Sequence, residues 1–284
     1  MKIETEFNPR ATFRELLAAA INELSTTGYV SVQRIEEWAA LLRNAAEREL
    51  GTDYAVDQEV RAGFERLFEQ VTKAGGKVDK FVEGVGRYTK AMVSPELYDE
   101  LDRRVAAAAD LIKVNKAEAV ERTLKRFQGW ATSLPPGGDD TIDKRETKAR
   151  LSKELTAYRY HKRLVDNDQG HKLVANVAAL VAEGAGAIAG TWHSHGADDA
   201  SYDARKDHLE RHGKTYLMRG SWADKEGLVR PIHGYADEIT APGQEVSCRC
   251  RMNYILSPRR LPDAMLTARG QEWLARGREA LINT

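Results

Sequence analysis

Apolar residues in the first half of the chain recur at steps of three and four positions. This spacing places them on one face of an amphipathic helix. A further helix is expected from Ser94, which stands before Pro95 at the first helical position, to about residue 130. No alternation typical of a strand appears before residue 133, so the first half is predicted to be helical. The other predicted stripes lie at 13–24, 35–45 and 60–71.

The clearest interruption of this pattern is the Pro- and Gly-rich segment 133–140. Prolines and adjacent glycines break helices, so we place a linker at 133–142 after a helical domain at 1–132. Residues 143–163 then carry eight Lys or Arg against three acids, with apolar residues on one face. This segment is predicted to be a basic amphipathic helix. Its basic side chains either form a solvated face or contact nucleic acid or an acidic partner.

The second half has a different pattern. Small apolar residues at 172–190 predict a buried helix that ends in a glycine-rich turn. Beyond residue 191, prolines and glycines divide the chain into short segments. Of these, 251–256 alternates as a strand does, and 266–281 has the spacing of a short amphipathic helix. The whole pattern predicts a mainly α N-terminal half and a small α+β C-terminal domain.

Composition narrows the class of protein. The 43 basic and 43 acidic side chains give a formal net charge of zero, which argues against bulk coating of nucleic acid. No apolar run approaches the roughly 18 residues of a membrane helix, and the charged N-terminus is not typical of a signal peptide. The two cysteines, one residue apart, cannot form a disulfide framework. We therefore expect a soluble product made in a reducing cytoplasm.

Histidine and cysteine, which bind zinc, are confined to the second half. All seven histidines lie between residues 161 and 233, and the two cysteines follow them. Zinc takes four thiolate or imidazole ligands, and only when they are deprotonated, so such a site weakens in acid. A helix expected at 203–211 would place His208 and His212 on one face. The candidate ligands of one structural zinc are His208, Cys248 and Cys250, with His212 or His195 as a possible fourth.

Two other interpretations of these residues stay open. In one, the cluster is a hydrogen-bonded part of a small α+β core and binds no metal. In the other, the protein is a metal-dependent hydrolase, because segment 192–195 resembles the H-x-H core of JAMM-type metallo-isopeptidases. That family continues with a serine and an aspartate, where this chain has Asp203 and Lys206, so we expect a non-enzyme. The hydrolase would use the cluster of His193, His195 and His208, with Asp203.

An ordered series of residues runs through the second half. A small-residue-rich helix leads to a tryptophan, an Asp-Arg-His-Gly series follows, and a Pro-Gly pair then precedes a Cys-Arg-Cys triplet. Over roughly residues 143–257, this series resembles the Mu protein F-like head morphogenesis family, the minor head proteins of tailed bacteriophages. Segment 193–200 looks longer than the family's loop, and Ser247 stands where asparagine is common. The matching residues are Trp192, Asp203, Arg205, His208, Gly213, Pro242, Gly243, Cys248, Arg249 and Cys250.

The resemblance implies a domain at 143–257 and leaves 258–284 as a helical tail. It implies a structural protein inside the capsid at the portal vertex, present in several copies per virion and acting in head assembly, DNA packaging or genome ejection. The expected partners are the portal protein and other head proteins. Basic segments at 144–163 and 249–278 could also make nonspecific contacts with packaged DNA. An effector enzyme fused to such a domain is disfavoured, because the helical first half lacks histidine and cysteine.

Overall fold

A computed structural model describes residues 10–75, 94–197 and 203–282. The first residues of the predicted domain 1–132 and the last two of the predicted tail lie outside these ranges. The predicted fold class is confirmed, because helices dominate the N-terminal part and a small antiparallel sheet lies in the C-terminal part. The described α-helices are α1 (Phe13–Thr27), α2 (Val32–Leu50), α3 (Asp53–Gly75), α4 (Ser94–Thr132), α5 (Lys144–Leu151), α6 (Lys153–Gly184), α7 (Lys206–Glu210), α8 (Trp222–Lys225) and α9 (Ala268–Ile282), and the strands are β1 (Ala189–His193), β2 (Thr215–Leu217) and β3 (Arg251–Ile255).

The chain divides into two compact units, each made of two stretches of sequence. The first unit contains Met1–Val60 and Ala107–Asp166, and the second contains Arg61–Ala106 and Asn167–Thr284. The breaker segment 133–142 lies inside the first unit and does not mark the boundary between the units. The domain at 143–257 and the tail at 258–284 stay predictions, because they rest on the family resemblance.

The core of the first unit forms as the apolar stripes predict. Leu17, Leu24, Trp38 and Leu42, from the facing stripes of α1 and α2, are fully buried in one cluster. A capping box starts α1: the Thr12 hydroxyl accepts from the backbone N–H of Glu15, whose carboxylate accepts in return from Thr12. Such reciprocal bonds satisfy backbone donors that a helix N-terminus otherwise leaves open.

The breaker segment is bonded to the end of α1 and is not a free connection. The backbone N–H of Gly137 donates to Thr27 O at 3.2 Å, and that of Asp139 donates to Ser25 O at 2.8 Å. Gly28 ends α1 with a φ of 72°, and a Cβ there would clash with the carbonyl oxygen of Pro135. The glycine that ends α1 thus also lets the breaker segment approach the end of that helix closely.

The second unit contains a three-stranded sheet of order β2-β1-β3, antiparallel throughout. Successive side chains of a strand point to opposite faces, so β1 contributes side chains to two separate cores. Ala189, paired with Leu217, packs into an apolar cluster on one face. Trp192 lies on the other face with Tyr216 and with the two cysteines. The strand predicted at 251–256 is confirmed as β3 and completes the sheet.

The prediction that segment 143–190 is mainly helical is confirmed, but the predicted helix boundaries were wrong. The two helices expected at 143–163 and 172–190 are instead a short α5 and a continuous α6, which runs to Gly184. Between them, Ser152 donates its hydroxyl and its backbone N–H to Lys148 O and so keeps a local turn. The glycine-rich end was predicted correctly, because Gly186, with a φ of 76°, turns the chain from α6 into β1.

We predict that Gly28→Ala lowers the free energy of unfolding by at least about 3 kcal/mol, because the new Cβ adds a backbone clash to an unfavourable positive φ. Gly137→Ala is the matched control, since Gly137 has a φ of 84° and no neighbour within 4 Å of an added Cβ. It should cost only about 1–2 kcal/mol. Denaturant unfolding of both variants checks this, and equal losses would contradict the close approach.

Candidate metal centre

A buried cluster of one imidazole and two thiols lies beside the sheet. His208 Nδ1 is 3.7 Å from Cys248 Sγ and 3.6 Å from Cys250 Sγ. The three side chains are only 2%, 1% and 5% exposed, respectively. Their potential ligand atoms all lie within 4.8 Å of one another, so the group could hold a metal ion. The sequence singled out these three residues, and the structure brings them together.

His208 reaches the cluster from α7, which is shorter than the helix expected at 203–211. Because α7 ends at Glu210, His212 lies in the turn after the helix and not on the helix itself. His212 Nδ1 instead accepts from the backbone N–H of Ser194 at 3.2 Å, and its ring contacts that of His193 at 4.8 Å. Among the described residues, His212 therefore lies outside the ligand group, which corrects its expected placement on the His208 face.

The cysteines are supplied by the loop before β3, and the predicted Pro-Gly pair shapes this loop. Pro242 and Gly243 are both buried. The backbone N–H of Gly243 donates to Cys248 Sγ at 3.4 Å. Gly243 has a φ of 76°, and a Cβ there would press against Lys172 Cα at 3.3 Å. A glycine is therefore required both by the turn and by the approach of the loop to α6.

Trp192 forms the wall of the cluster on the side of the sheet. It is fully buried, and its ring meets that of His208 edge-on with centroids 5.2 Å apart. The Arg211 guanidinium lies 5.2 Å from the Trp192 ring centroid, within the range of a cation–π contact. Gly213 turns the chain back with a φ of 76° and donates its N–H to Trp192 O at 2.9 Å. The predicted motif residues Trp192 and Gly213, together with Arg211, thus hold the imidazole in place.

Two carboxylates face the outer edge of the imidazole. His208 Nε2 lies 3.8 Å from both Asp207 Oδ2 and Glu245 Oε2, and it forms no hydrogen bond to any described residue. Glu245 is itself paired with Arg205 at 2.7 Å, and the Arg205 guanidinium also donates to Val246 O. Arg205, a motif residue, therefore anchors both the cysteine loop and the carboxylate beside His208.

The two remaining motif residues are Arg249 and Asp203. Arg249 is half-buried between the two cysteines, and Asp203 is exposed ahead of α7. Neither belongs to the ligand group that the described residues form.

The two thiols have unequal acidity. Cys250 is hydrogen-bonded to Cys248, which lowers the pKa of Cys248, and the backbone N–H of Gly243 adds to this stabilisation of a thiolate. The same bond between the cysteines raises the pKa of Cys250, because that side chain keeps the shared proton, and burial raises it further. Cys248 is therefore the first of the pair to ionise.

The two other histidines of segment 192–195 do not join the ligand group of the described residues. His193 ends β1 and packs its ring on His212. His195 begins a single 3-10 turn, and its backbone forms a hydrogen bond with Cys250. The structure thus does not gather His193, His195 and His208 as one set of ligands.

Sequence reasoning missed two neighbours of the cluster. Ser194 is fully buried, and its hydroxyl accepts from the Cys250 thiol at 3.9 Å. Its separation of two positions from Trp192 was the available signal, because that spacing puts both on one side of an extended chain. Glu245 gave no such signal, since its place beside His208 depends on contacts between residues far apart in sequence.

No protein-family model, curated protein or solved structure matches this chain. The fold and the cluster of His208, Cys248 and Cys250 are therefore described from the geometry of this chain alone. Among the described helices, none combines the length and the apolar character that a membrane span requires.

Ser247, next to the first cysteine, is the only described residue other than glycine with a positive φ, at 58°. Its backbone N–H donates to Asp168 Oδ1 at 2.6 Å. Asparagine adopts this conformation more readily than serine, whereas a β-branched residue opposes it. We predict that Ser247→Asn raises the free energy of unfolding by about 0.5 kcal/mol and that Ser247→Val lowers it by at least about 1 kcal/mol. Denaturant titration checks both values, and a Val variant as stable as the Asn variant would contradict the strain.

Proposed function

We propose that the protein is a minor structural component of a tailed-phage head, bound at the portal vertex and acting in head assembly, DNA packaging or genome ejection. One observation carries the proposal. Motif residues from three separate stretches of sequence, at 192, 205–213 and 242–250, converge on the cluster of His208, Cys248 and Cys250. An ordered series that builds one buried structure is what a shared domain architecture would produce.

In this proposal, His208, Cys248 and Cys250 hold one structural zinc ion. Bonds of about 2.0 Å to nitrogen and about 2.3 Å to sulfur at a tetrahedral angle place the two ligand atoms roughly 3.5 Å apart. The observed separations from Nδ1 are 3.7 and 3.6 Å, so the side chains need little movement to bind the ion. Thiolates and imidazole are also the donors that zinc prefers. The bound ion would cross-link α7 to the loop before β3.

The surroundings of the cluster suit a structural ion. Backbone N–H groups that point at sulfur, such as that of Gly243, stabilise thiolate charge. A carboxylate that accepts a hydrogen bond from the second nitrogen of a histidine ligand orients the ring, and Asp207 and Glu245, each 3.8 Å from His208 Nε2, are the candidates for that role here. A fourth ligand would come from outside the group of three.

Burial favours this role over metal-dependent hydrolysis. A catalytic zinc keeps one coordination position open to water and substrate, whereas each of the three ligands here is at most 5% exposed. The hydrolase alternative also needs His193 and His195 beside His208, and they do not join its ligand group in the described structure. The protein is therefore proposed as a non-enzyme.

Helical surfaces would supply the proposed partner contacts. The amphipathic helices of the first unit offer faces and grooves for packing against the portal protein or other head proteins. The basic segments 144–163 and 249–278 would meet acidic protein surfaces or the phosphates of packaged DNA, without sequence preference. The protein would then act inside the capsid, after synthesis in the host cytoplasm, in several copies per virion.

Metal content tests the zinc site. The purified wild-type chain should contain about one zinc per chain by elemental analysis. Cys248→Ser should lose it and lower the free energy of unfolding by at least about 3 kcal/mol, because the ion links separate parts of the unit. His193→Ala is the matched control and should keep its zinc. Zinc that is lost from His193→Ala but kept by Cys248→Ser would favour the hydrolase, and a zinc-free wild-type protein would leave a hydrogen-bonded cluster.

Association with the portal protein tests the partner. The tagged full-length chain should retain the portal protein of the same phage on affinity resin at low salt, and retention should weaken as salt rises, because screening reduces contacts between charges. A tagged protein of similar size and charge serves as the control. Failure to retain the portal protein at low salt would contradict the proposed location.

A further inference from the structure

The first unit contains an open cleft lined by cations of the basic segment 144–163, so an inference about its ligand deepens the proposed function and rests on it. Its volume is about 690 Å³, within the range of ligand-binding clefts. It lies between the start of α1, the end of α2, α5 and the beginning of α6, and we call it the α1–α5 cleft. Apolar side chains contribute much of its lining, with Leu17 fully buried at the base and Leu50 and Leu155 half-buried along the walls.

The rim of the α1–α5 cleft is strongly basic. Four cations line it: Arg14 from α1, Arg145 and Lys148 from α5, and Arg159 from α6. One carboxylate, that of Glu49, is also part of the lining, and it already accepts a hydrogen bond from the backbone N–H of Phe13 at 2.6 Å. The cleft therefore presents a surplus of positive charge around an apolar base.

These cations are available for a ligand. Arg14, Arg145 and Arg159 form no ion pair with any carboxylate in the described part of the chain. Lys148 interacts only at a distance with Glu15. Elsewhere in the first unit, comparable arginines are paired: Arg34 with Glu23, and Arg43 with Glu121. Arg150 and Arg163 also form no ion pair with any carboxylate in the described residues, so the distinguishing feature is that three such guanidinium groups line one cleft.

We propose that the α1–α5 cleft binds an acidic peptide segment of a partner protein, one that places an apolar side chain between carboxylates. Arginine donates two parallel hydrogen bonds to a carboxylate, which suits three guanidinium groups at the rim. The concave apolar base fits a buried leucine or phenylalanine side chain, as in other peptide-binding grooves. A DNA backbone offers phosphates alone and would leave that base unfilled.

The cleft is independent of the zinc site. All of its lining residues belong to the first unit, and the zinc cluster belongs to the second. A failure of the zinc or portal experiments would therefore leave peptide binding to be judged by its own result.

The probe is a fluorescent peptide with a Leu-Phe pair between two runs of glutamate, titrated with the full-length protein at low and high salt. Binding should occur at low salt and weaken with added salt. The double variant Arg145→Ser/Arg159→Ser should weaken it by about tenfold or more, because two charge-assisted contacts are lost. Ala149→Glu should abolish it, since Ala149 is an exposed lining residue and the new carboxylate would repel the peptide without removing core packing.

The matched control is Lys144→Ser/Arg163→Ser, which removes two exposed cations from the same basic segment but outside the cleft lining. It should bind the peptide nearly as well as the wild type does, and circular dichroism should show both double variants folded. Equal weakening by the two double variants would overturn the proposal and indicate nonspecific charge attraction. So would the absence of binding at low salt, or preferential binding of an oligothymidylate that depends on Arg145 and Arg159.

Discussion

The His208 imidazole is held from every side, and the second unit is organised around that restraint. Its Nδ1 meets two sulfurs, its ring edge meets Trp192, and its Nε2 faces two carboxylates. Trp192 lies on β1, whereas both sulfurs and the Glu245 carboxylate lie on the loop before β3, so fixing the imidazole fixes the mutual arrangement of these two stretches. Burial of a polar ring is unfavourable unless its nitrogens are satisfied. The cysteines thus matter as much for His208 as His208 matters for them.

The central strand couples this cluster to the remaining core of the unit. Trp192 of β1 faces the cysteines, while Ala189 of the same strand faces the apolar cluster around Leu217. A shift of one residue in the pairing of β1 would exchange the two faces. The glycine at position 190 leaves room for the Met252 side chain of β3, which a Cβ there would overlap. Strand pairing and cluster assembly are therefore two aspects of one arrangement.

Local patterns were enough to predict most elements and the cluster itself. The stripes of α1 and α2, the Ser94-Pro95 start of α4 and the alternation of β3 are properties of neighbouring residues, and they were confirmed. His208, Cys248 and Cys250 could be selected by residue type, because few side chains in this sequence bind a soft metal ion.

What sequence reasoning missed depends on contacts at long range. His212 lies beyond the end of α7, and its Nδ1 accepts from the backbone N–H of Ser194. Neither fact is visible in the spacing of the two histidines. The glycines and prolines of 133–142 were identified correctly as helix breakers. The backbone N–H groups of Gly137 and Asp139, however, donate to Thr27 and Ser25, which are more than a hundred positions away in sequence. Nothing local indicates that this turn packs on α1.

The division of each unit into two stretches of sequence has a consequence for dissecting the molecule. Any continuous fragment that contains the whole first unit must run from residue 1 to 166 and so carries 61–106 of the second, while one that contains the whole second unit must begin at or before residue 61 and carries 107–166 of the first. A fragment of 143–257 alone would lack 61–106. Truncation is therefore a poor way to assign roles to the two units, and point substitutions in the intact chain are the more informative approach.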